Sequence, residues 1–398
     1  MSLSTRFQTD MGRTFQRGQN QRRRAALDAV MSHSLYSRAP TRIDLAGGWT
    51  DLIPFATETE GAVLNTAIDL YVYVTLAAST GQSVSLYAKD LNHRFDPLPA
   101  SAPLRGVSLP QAVLSRLHPH KGCHLVTWSD APRGSGLGAS GAMGIALVGL
   151  LSAFASEELE CQQLVDIANA IERETGIPCG KQDHCASLLG GFNFLRFQGE
   201  RVHVTPLRLE EHVVENLQKS LLLVYTGESH FSGEILQNVV DAYQAGNRKT
   251  YDALTALRRI AAEMKTALEK TDLSGFGEML DENWYYQRQL HPSVSTTKID
   301  ELFELAKTSG CTGGKACGAG GGGCLVFYCP PDRVDPVAKT LSKAGAKVMP
   351  FRFDLTGLRI WFPPNPEPSL DSYPKEKGAL KESASVSKAT SPHPHVPS

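Results

Sequence analysis

Residues 132–140, PRGSGLGAS, place three glycines and two hydroxyls directly before 15 apolar and small residues, GAMGIALVGLLSAFA. A glycine loop that opens onto a helix turns free backbone N–H groups outward, and the helix dipole adds to their pull on an anion, phosphate above all. The loop has no Gly-Lys-Ser/Thr as a Walker A sequence would, and no first strand-turn-helix unit stands upstream as a Rossmann fingerprint needs. On spacing alone the loop is moderately specific, the other reading being a turn that merely lets the helix pack tightly. Further on, IERETGIPCGKQDHCASLLGG sets Glu172 at helical spacing and Asp183 in what reads as a polar turn. A third segment, KACGAGGGGC at 315–324, is a glycine loop before an apolar strand, with Lys315 reading as a surface charge.

These groups need a scaffold, and the hydrophobic pattern outlines one. SLYSRAPTRIDLAGG reads as a strand entering a glycine turn, and 62–79 as one or two strands rich in β-branched and aromatic residues. Residues 124–132, FNFLRF and 221–227 are further strands. After the apolar helix, CQQLVDIANAIERETG repeats Leu164, Ile167, Ala168 and Ile171 at helical spacing with Gly176 as a stop. Residues 232–290 predict two or more amphipathic helices, 330–350 one helix, and FRFDLTGLRIWF a last strand or two.

Composition narrows the function classes. The 398 residues carry 40 basic and 41 acidic side chains, so no general phosphate-attracting field marks a nucleic-acid binder. No apolar run is long enough for a membrane span, and no signal peptide is present, which points to the cytoplasm. The N-terminus is rich in arginine, a feature of transit peptides as well as of solvated tails. None of the eight cysteines forms a C-x-x-C pair, so free, mostly buried thiols are expected. His118, His120 and His124 have near-metal spacing but no Cys or carboxylate in register, so solvated or strand-capping roles are expected.

Together with RAPTRIDLAGGWTD at 38–51, the three segments resemble the GHMP kinase superfamily, which holds galacto-, homoserine, mevalonate and phosphomevalonate kinases. The resemblance spans about residues 36–362 and covers all three family motifs in order. IDLAGGWTD and NWYYQRQLHPSVSTTKID look most like the fucokinase and heptose 7-phosphate kinase branch. The family resemblance implies an α+β fold of two domains. The N-terminal ATP-binding domain at 35–205 is of the ribosomal S5 domain 2 type, and the C-terminal domain at 206–362 is ferredoxin-like. A flexible extension at 1–34 and a disordered tail at 363–398 flank them.

The same resemblance implies the roles. Pro132, Arg133, Gly134, Ser135, Gly136, Leu137, Gly138, Ala139 and Ser140 match the ATP-binding motif, with Ala139 in place of a family serine. Ser140 and Glu172 match the Mg²⁺ ligands, and Asp183 matches the group that deprotonates or orients the acceptor hydroxyl. Arg42 stands where galactokinase-like members carry arginine, beside the substrate residues Asp44, Gly47, Gly48, Trp49, Thr50 and Asp51. Gly318, Gly320 and Gly321 of the third motif are expected to approach substrate and phosphates. His291, Ser293, Ser295 and Thr296 are candidates for the sugar pocket, and His184 is ambiguous. Galactose fits poorly, because Gly47, Gly48 and Trp49 interrupt the galactokinase pattern. The implied activity is ATP- and Mg²⁺-dependent phosphorylation of a small sugar or sugar phosphate, at the anomeric hydroxyl. A non-sugar alcohol as acceptor conflicts with Arg42 followed by Thr50–Asp51, and a non-catalytic sensor conflicts with the presence of Ser140, Glu172 and Asp183.

Overall fold

Residues 61–78 form a single strand, β2 (Gly61–Ala78), long enough to serve two partners end to end on one edge. The computed structural model describes residues 34–79, 81–119, 121–228 and 232–362. The expected extension at 1–34, Ser34 apart, and the expected tail at 363–398 lie outside the described residues. β1 (Leu35–Ala46) pairs antiparallel along β2, while β5 (Cys123–Ser129) and β6 (Phe192–Gln198) share the opposite edge. β3 (Val84–Ala88) joins β5 in parallel, β4 (His93–Phe95) pairs with β3, and β7 (Arg201–Leu207) pairs with β6. The sheet closes with β12 (Arg359–Trp361), which returns from the chain's far end to pair with β1.

A short helix, α1 (Phe55–Glu58), follows the first turn, and α2 (Leu109–Leu117) lies between β4 and β5. α3 (Ala139–Ala155) is apolar nearly all round, and it is buried accordingly between the sheet and two neighbours, α4 (Cys161–Glu174) and α5 (Gln182–Leu189). α4 starts in a reciprocal capping box between Glu160 and Gln163, and its inward stripe is Leu164, Val165, Ala168 and Ile171. The second half begins with α6 (Glu211–Ser220) and builds a four-stranded antiparallel sheet in the order β11 (Lys347–Val348), β8 (Leu221–Tyr225), β10 (Cys324–Tyr328), β9 (Gly313–Ala316). The expected helical region resolves into α7 (Ser232–Gln244), α8 (Arg248–Glu269) and α9 (Leu273–Gln287), followed by α10 (Thr297–Thr308) and α11 (Val334–Lys343).

One apolar cluster joins the two halves. Ile43, Leu45 and Leu64 of the first sheet pack with Leu221, Leu223 and Val326 of the second and with Ile260 and Met264 of α8. The mixed α+β architecture matches the expectation. The expected division between residues 205 and 206 falls within β7. One reading is corrected: Asp183 lies in the first turn of α5 rather than in a polar turn. FRFDLTGLRIWF contributes the expected last strand, three residues long, and an isolated bridge from Phe353 to Ile68.

Candidate active site

Arg42 is held on β1 by the strand ladder, with its own amide donating to the Leu137 carbonyl of the glycine loop (2.9 Å). Its guanidinium donates through Nε to Asp183 Oδ1 (2.8 Å) and through Nη1 to the Gly136 carbonyl (2.6 Å). Burial works against charge on Arg42, but Asp183, Asp44 and Cys317 together hold it above its ordinary value. The cation therefore ties the phosphate-type loop to Asp183. α5 brings Asp183 against the start of α3: a Cβ on Gly138 would stand 2.9 Å from Asp183 Cγ, and one on Gly141 2.6 Å from its Cβ. Gly138 is the N-cap of α3, and no side chain caps the free amides of that first turn. The Asp183 side chain keeps 22% of its surface exposed, whereas Arg42 keeps 5%. An accessible carboxylate thus faces an uncapped helix N-terminus.

Glu172, in the last turn of α4, lies beside the same place. Burial pushes its carboxyl up, but the neighbouring His184, Ser140 and Cys179 outweigh this and hold it below the usual range. His184 Nε2 lies 3.0 Å from Glu172 Oε2, and both residues are buried. His184 is thereby placed as a support of Glu172, a role that sequence reasoning left open. Ser140 itself is exposed at the helix start. A carboxylate kept ionised and a hydroxyl within reach of it make a two-oxygen set that suits a small hard cation otherwise served by phosphate and water. Among the described residues no cluster of three or more His, Cys, Asp or Glu is poised for a metal, and His124 shares a 2.8 Å hydrogen bond with Ser85.

Motif 1 divides into a wall and a frame. Asp51 is buried and accepts from the Gln182 amide and from Gln182 Nε2, both at 3.3 Å. Burial and then the nearby Asp183 charge push its carboxyl up to about 7. Thr50 is a frame residue: its buried hydroxyl shares its one proton between the carbonyls of Gly47 and Ala62 and accepts from the Ala62 amide. Gly47 donates its amide to Asn283 Oδ1, Gly48 lies against the Asp44 carboxylate, and Trp49 is buried in the core under the second sheet. Asp44 also turns inward, with Lys315 Nζ donating to its Oδ2 and to its carbonyl, each at 2.7 Å. The surface reading of Lys315 is corrected: its side chain is fully buried. No local signal could have shown this, since the pair is 271 residues apart in sequence.

The second glycine loop packs on the first. Gly318 lies against Gly136, with a Cβ there only 2.7 Å from the Gly136 carbonyl oxygen, and the Cys324 amide donates to the Ser135 carbonyl (2.7 Å). Ser135 is itself buried by this contact. Gly321 donates its amide to the Val294 carbonyl (2.8 Å), and Gly320 lies against that same carbonyl. Gly318, Gly320 and Gly321, expected to approach the substrate, have protein backbone and the Val294 and Ile235 side chains as close neighbours. His291 Nδ1 accepts from the Ser293 amide and shares a hydrogen bond with its hydroxyl, Thr296 caps α10, and Ser295 donates to Asp300, so all four candidates at 291–296 make local contacts.

The chain matches the model of the GHMP kinases N terminal domain over residues 108–191 and that of the GHMP kinases C terminal domain over 264–347. It is 29% identical over 340 residues to the D-glycero-alpha-D-manno-heptose 7-phosphate kinase of Campylobacter jejuni, a match covering 82% of this chain and 99% of that one. It is 28% identical over 303 residues to the bifunctional fucokinase/GDP-fucose pyrophosphorylase of Arabidopsis thaliana, covering 71% of this chain but 29% of that protein. The crystal structure of a D-glycero-D-manno-heptose 1-phosphate kinase from Bacteroides thetaiotaomicron aligns with a TM-score of 0.65 at 28% identity, over 82% of this chain and 98% of the other. The glycine loop, Glu172 and Asp183 all fall within the N-terminal match, and with the second loop inside the C-terminal one the chain is a member of the GHMP kinase family.

Proposed function

We propose that this ATP-dependent sugar kinase transfers the γ-phosphate to the anomeric hydroxyl of a sugar or sugar phosphate of the heptose 7-phosphate or fucose type, giving a sugar 1-phosphate. The observation that carries the reading is the accessible Asp183 carboxylate, held by Arg42 against the uncapped start of α3. In this reading the loop at 132–140 and the first amides of α3 receive the nucleotide phosphates, since they offer unpaired donors and the positive end of the helix dipole. Ser140 and Glu172 would hold Mg²⁺, which neutralises charge on the phosphates. Asp183 accepts the proton of the sugar hydroxyl as its oxygen bonds to the γ-phosphorus. The bond from that phosphorus to the bridging oxygen breaks, and ADP leaves. Arg42, already bonded to Asp183, faces the charge that spreads over the transferring group. Asp51, next to Asp183, offers a hydrogen-bonding group for a neighbouring sugar hydroxyl. The domain assignment, 35–205 for ATP and 206–362 as the C-terminal half, belongs to the same proposal.

The test is ADP release against a panel of free sugars, sugar phosphates, mevalonate and homoserine, with phosphorus NMR of each product. Turnover on a heptose or fucose-type substrate with phosphate at C1 is expected. Preference for mevalonate or homoserine, or ATP binding without turnover on any acceptor, overturns the proposal.

A further inference from the structure

Four charged side chains of alternating sign run from the second half of the chain to the reacting carboxylate. Lys315 on β9 meets Asp44 on β1, Asp44 acts on Arg42 two residues earlier on the same strand, and Arg42 meets Asp183 on α5. Residues two apart on a strand share a face, so Asp44 and Arg42 project the same way. The Lys315 and Asp44 side chains are 0% and 2% exposed, and Asp44 Oδ1 has no hydrogen-bond partner. A buried ion pair is a poor way to gain stability, because desolvation consumes most of the attraction and apolar residues of like volume do as well. Its placement is more telling. Lys315 also fixes the Asp44 carbonyl, and so the backbone of β1 next to Arg42.

We propose that Lys315 is a positioning residue: by neutralising Asp44 it leaves Arg42 committed to Asp183, and so couples the second sheet to the reacting carboxylate. The inference rests on the assignment of Asp183 and Arg42 made above. Without the Lys315 charge, Asp44 keeps a buried negative charge that also acts on Arg42. The guanidinium is then drawn toward Asp44, and Asp183 loses its orienting bond. Lys315 touches neither nucleotide nor sugar in this account and works through two intermediaries.

Steady-state kinetics, normalised to folded enzyme by nucleotide-binding stoichiometry, separate the possibilities. Lys315→Met should lower kcat by about 10²-fold, the scale of a misplaced reacting group, with KM for ATP changed less than about twofold. Lys315→Met combined with Asp44→Asn removes the uncompensated charge and should restore kcat to within about fivefold of the native enzyme. Native kcat in Lys315→Met, or a double variant no faster than the single one, overturns the proposal. A structural role alone would lower the folded fraction and leave kcat per folded molecule unchanged. Where Lys315→Met fails to fold, Lys315→Gln keeps a donor for the Asp44 carbonyl and should show the same loss, and native kcat there is equally fatal. Asp183→Ala run beside them keeps the two claims apart: near-native turnover in that variant removes Asp183 from the chemistry, whereas a dead Asp183→Ala with an unaffected Lys315→Met removes only Lys315.

Discussion

The loop at 134–138 runs into the N-terminus of α3, and its Gly134 is exposed. The loop at 318–323 runs into β10, and its last three glycines are buried. In the first, the free amides of a helix stand open. In the second, glycine lets the backbone press on Gly136, on the Ser135 carbonyl and on Val294, where any Cβ would intrude. Glycine content alone therefore does not distinguish a loop that opens onto free helix amides from a buttress. The element that follows does, because a helix start carries unpaired N–H groups and a positive dipole end, while a strand spends its N–H groups on its neighbours.

The contrast predicts different failures on the two sides. Asp183→Ala, which empties the working face, should reduce kcat by about 10²–10⁴-fold while ATP binding changes little, measured by single-turnover kinetics and nucleotide titration. Gly138→Ala comes next: its φ of +74° and the Asp183 carboxylate 2.9 Å from the new methyl force that carboxylate aside. A fall in kcat of about 10²-fold is expected. Gly320→Ala, also at positive φ (+80°) but against the Val294 carbonyl, should lower unfolding free energy by about 1–3 kcal/mol through overpacking and leave KM for ATP near native. A Gly320→Ala enzyme that keeps its urea midpoint but loses ATP affinity would erase the distinction between the loops.

Much of the geometry of the candidate site was legible from residue types and spacing. Three glycines before an apolar run announce a helix start, and Glu172 and Asp183 follow at a distance one helix and a connection can span. The buttress side was not legible, because its meaning lies in what it touches. Lys315 reads as a surface charge in any local window, and only the pairing of β9 with β10, together with the packing of the two halves, buries it against Asp44. His184 likewise gains its role from Glu172, 3.0 Å away on another helix. Asp183 was misplaced by one element: Gly180, Lys181 and Gln182 look like a turn, and α5 is a helix of eight residues with no side-chain cap. Such a helix owes its existence to packing on α3 rather than to its own propensity.

Smaller effects sharpen the working side further. Glu172→Gln removes the charge that His184 and Ser140 support, and Ser140→Ala removes the hydroxyl. Each should raise the Mg²⁺ concentration needed for half-maximal rate by about 10–100-fold, the range for altered metal-site residues. An unchanged Mg²⁺ titration in both would remove them from the metal site.

Asp51 offers the mildest test, and its sign is fixed by its surroundings. Burial and the Asp183 charge raise its carboxyl to about 7 in the folded chain, against an ordinary value near ~3.9 in the unfolded one. Between those values the folded state keeps a proton that the unfolded state has released. The unfolded state then binds fewer protons, so this group's contribution to stability is present below about pH 4 and is lost as pH rises through about 7. Asp51→Asn cannot release a proton, and the amide still accepts from Gln182. The variant should therefore gain on the native protein as pH rises from 5 to 7.5, by less than about 1.4 kcal/mol per pH unit, in paired urea unfolding series. Parallel pH slopes in the two proteins would mean that Asp51 is ionised throughout, and that solvent reaches the wall beside Asp183 more freely than its burial implies.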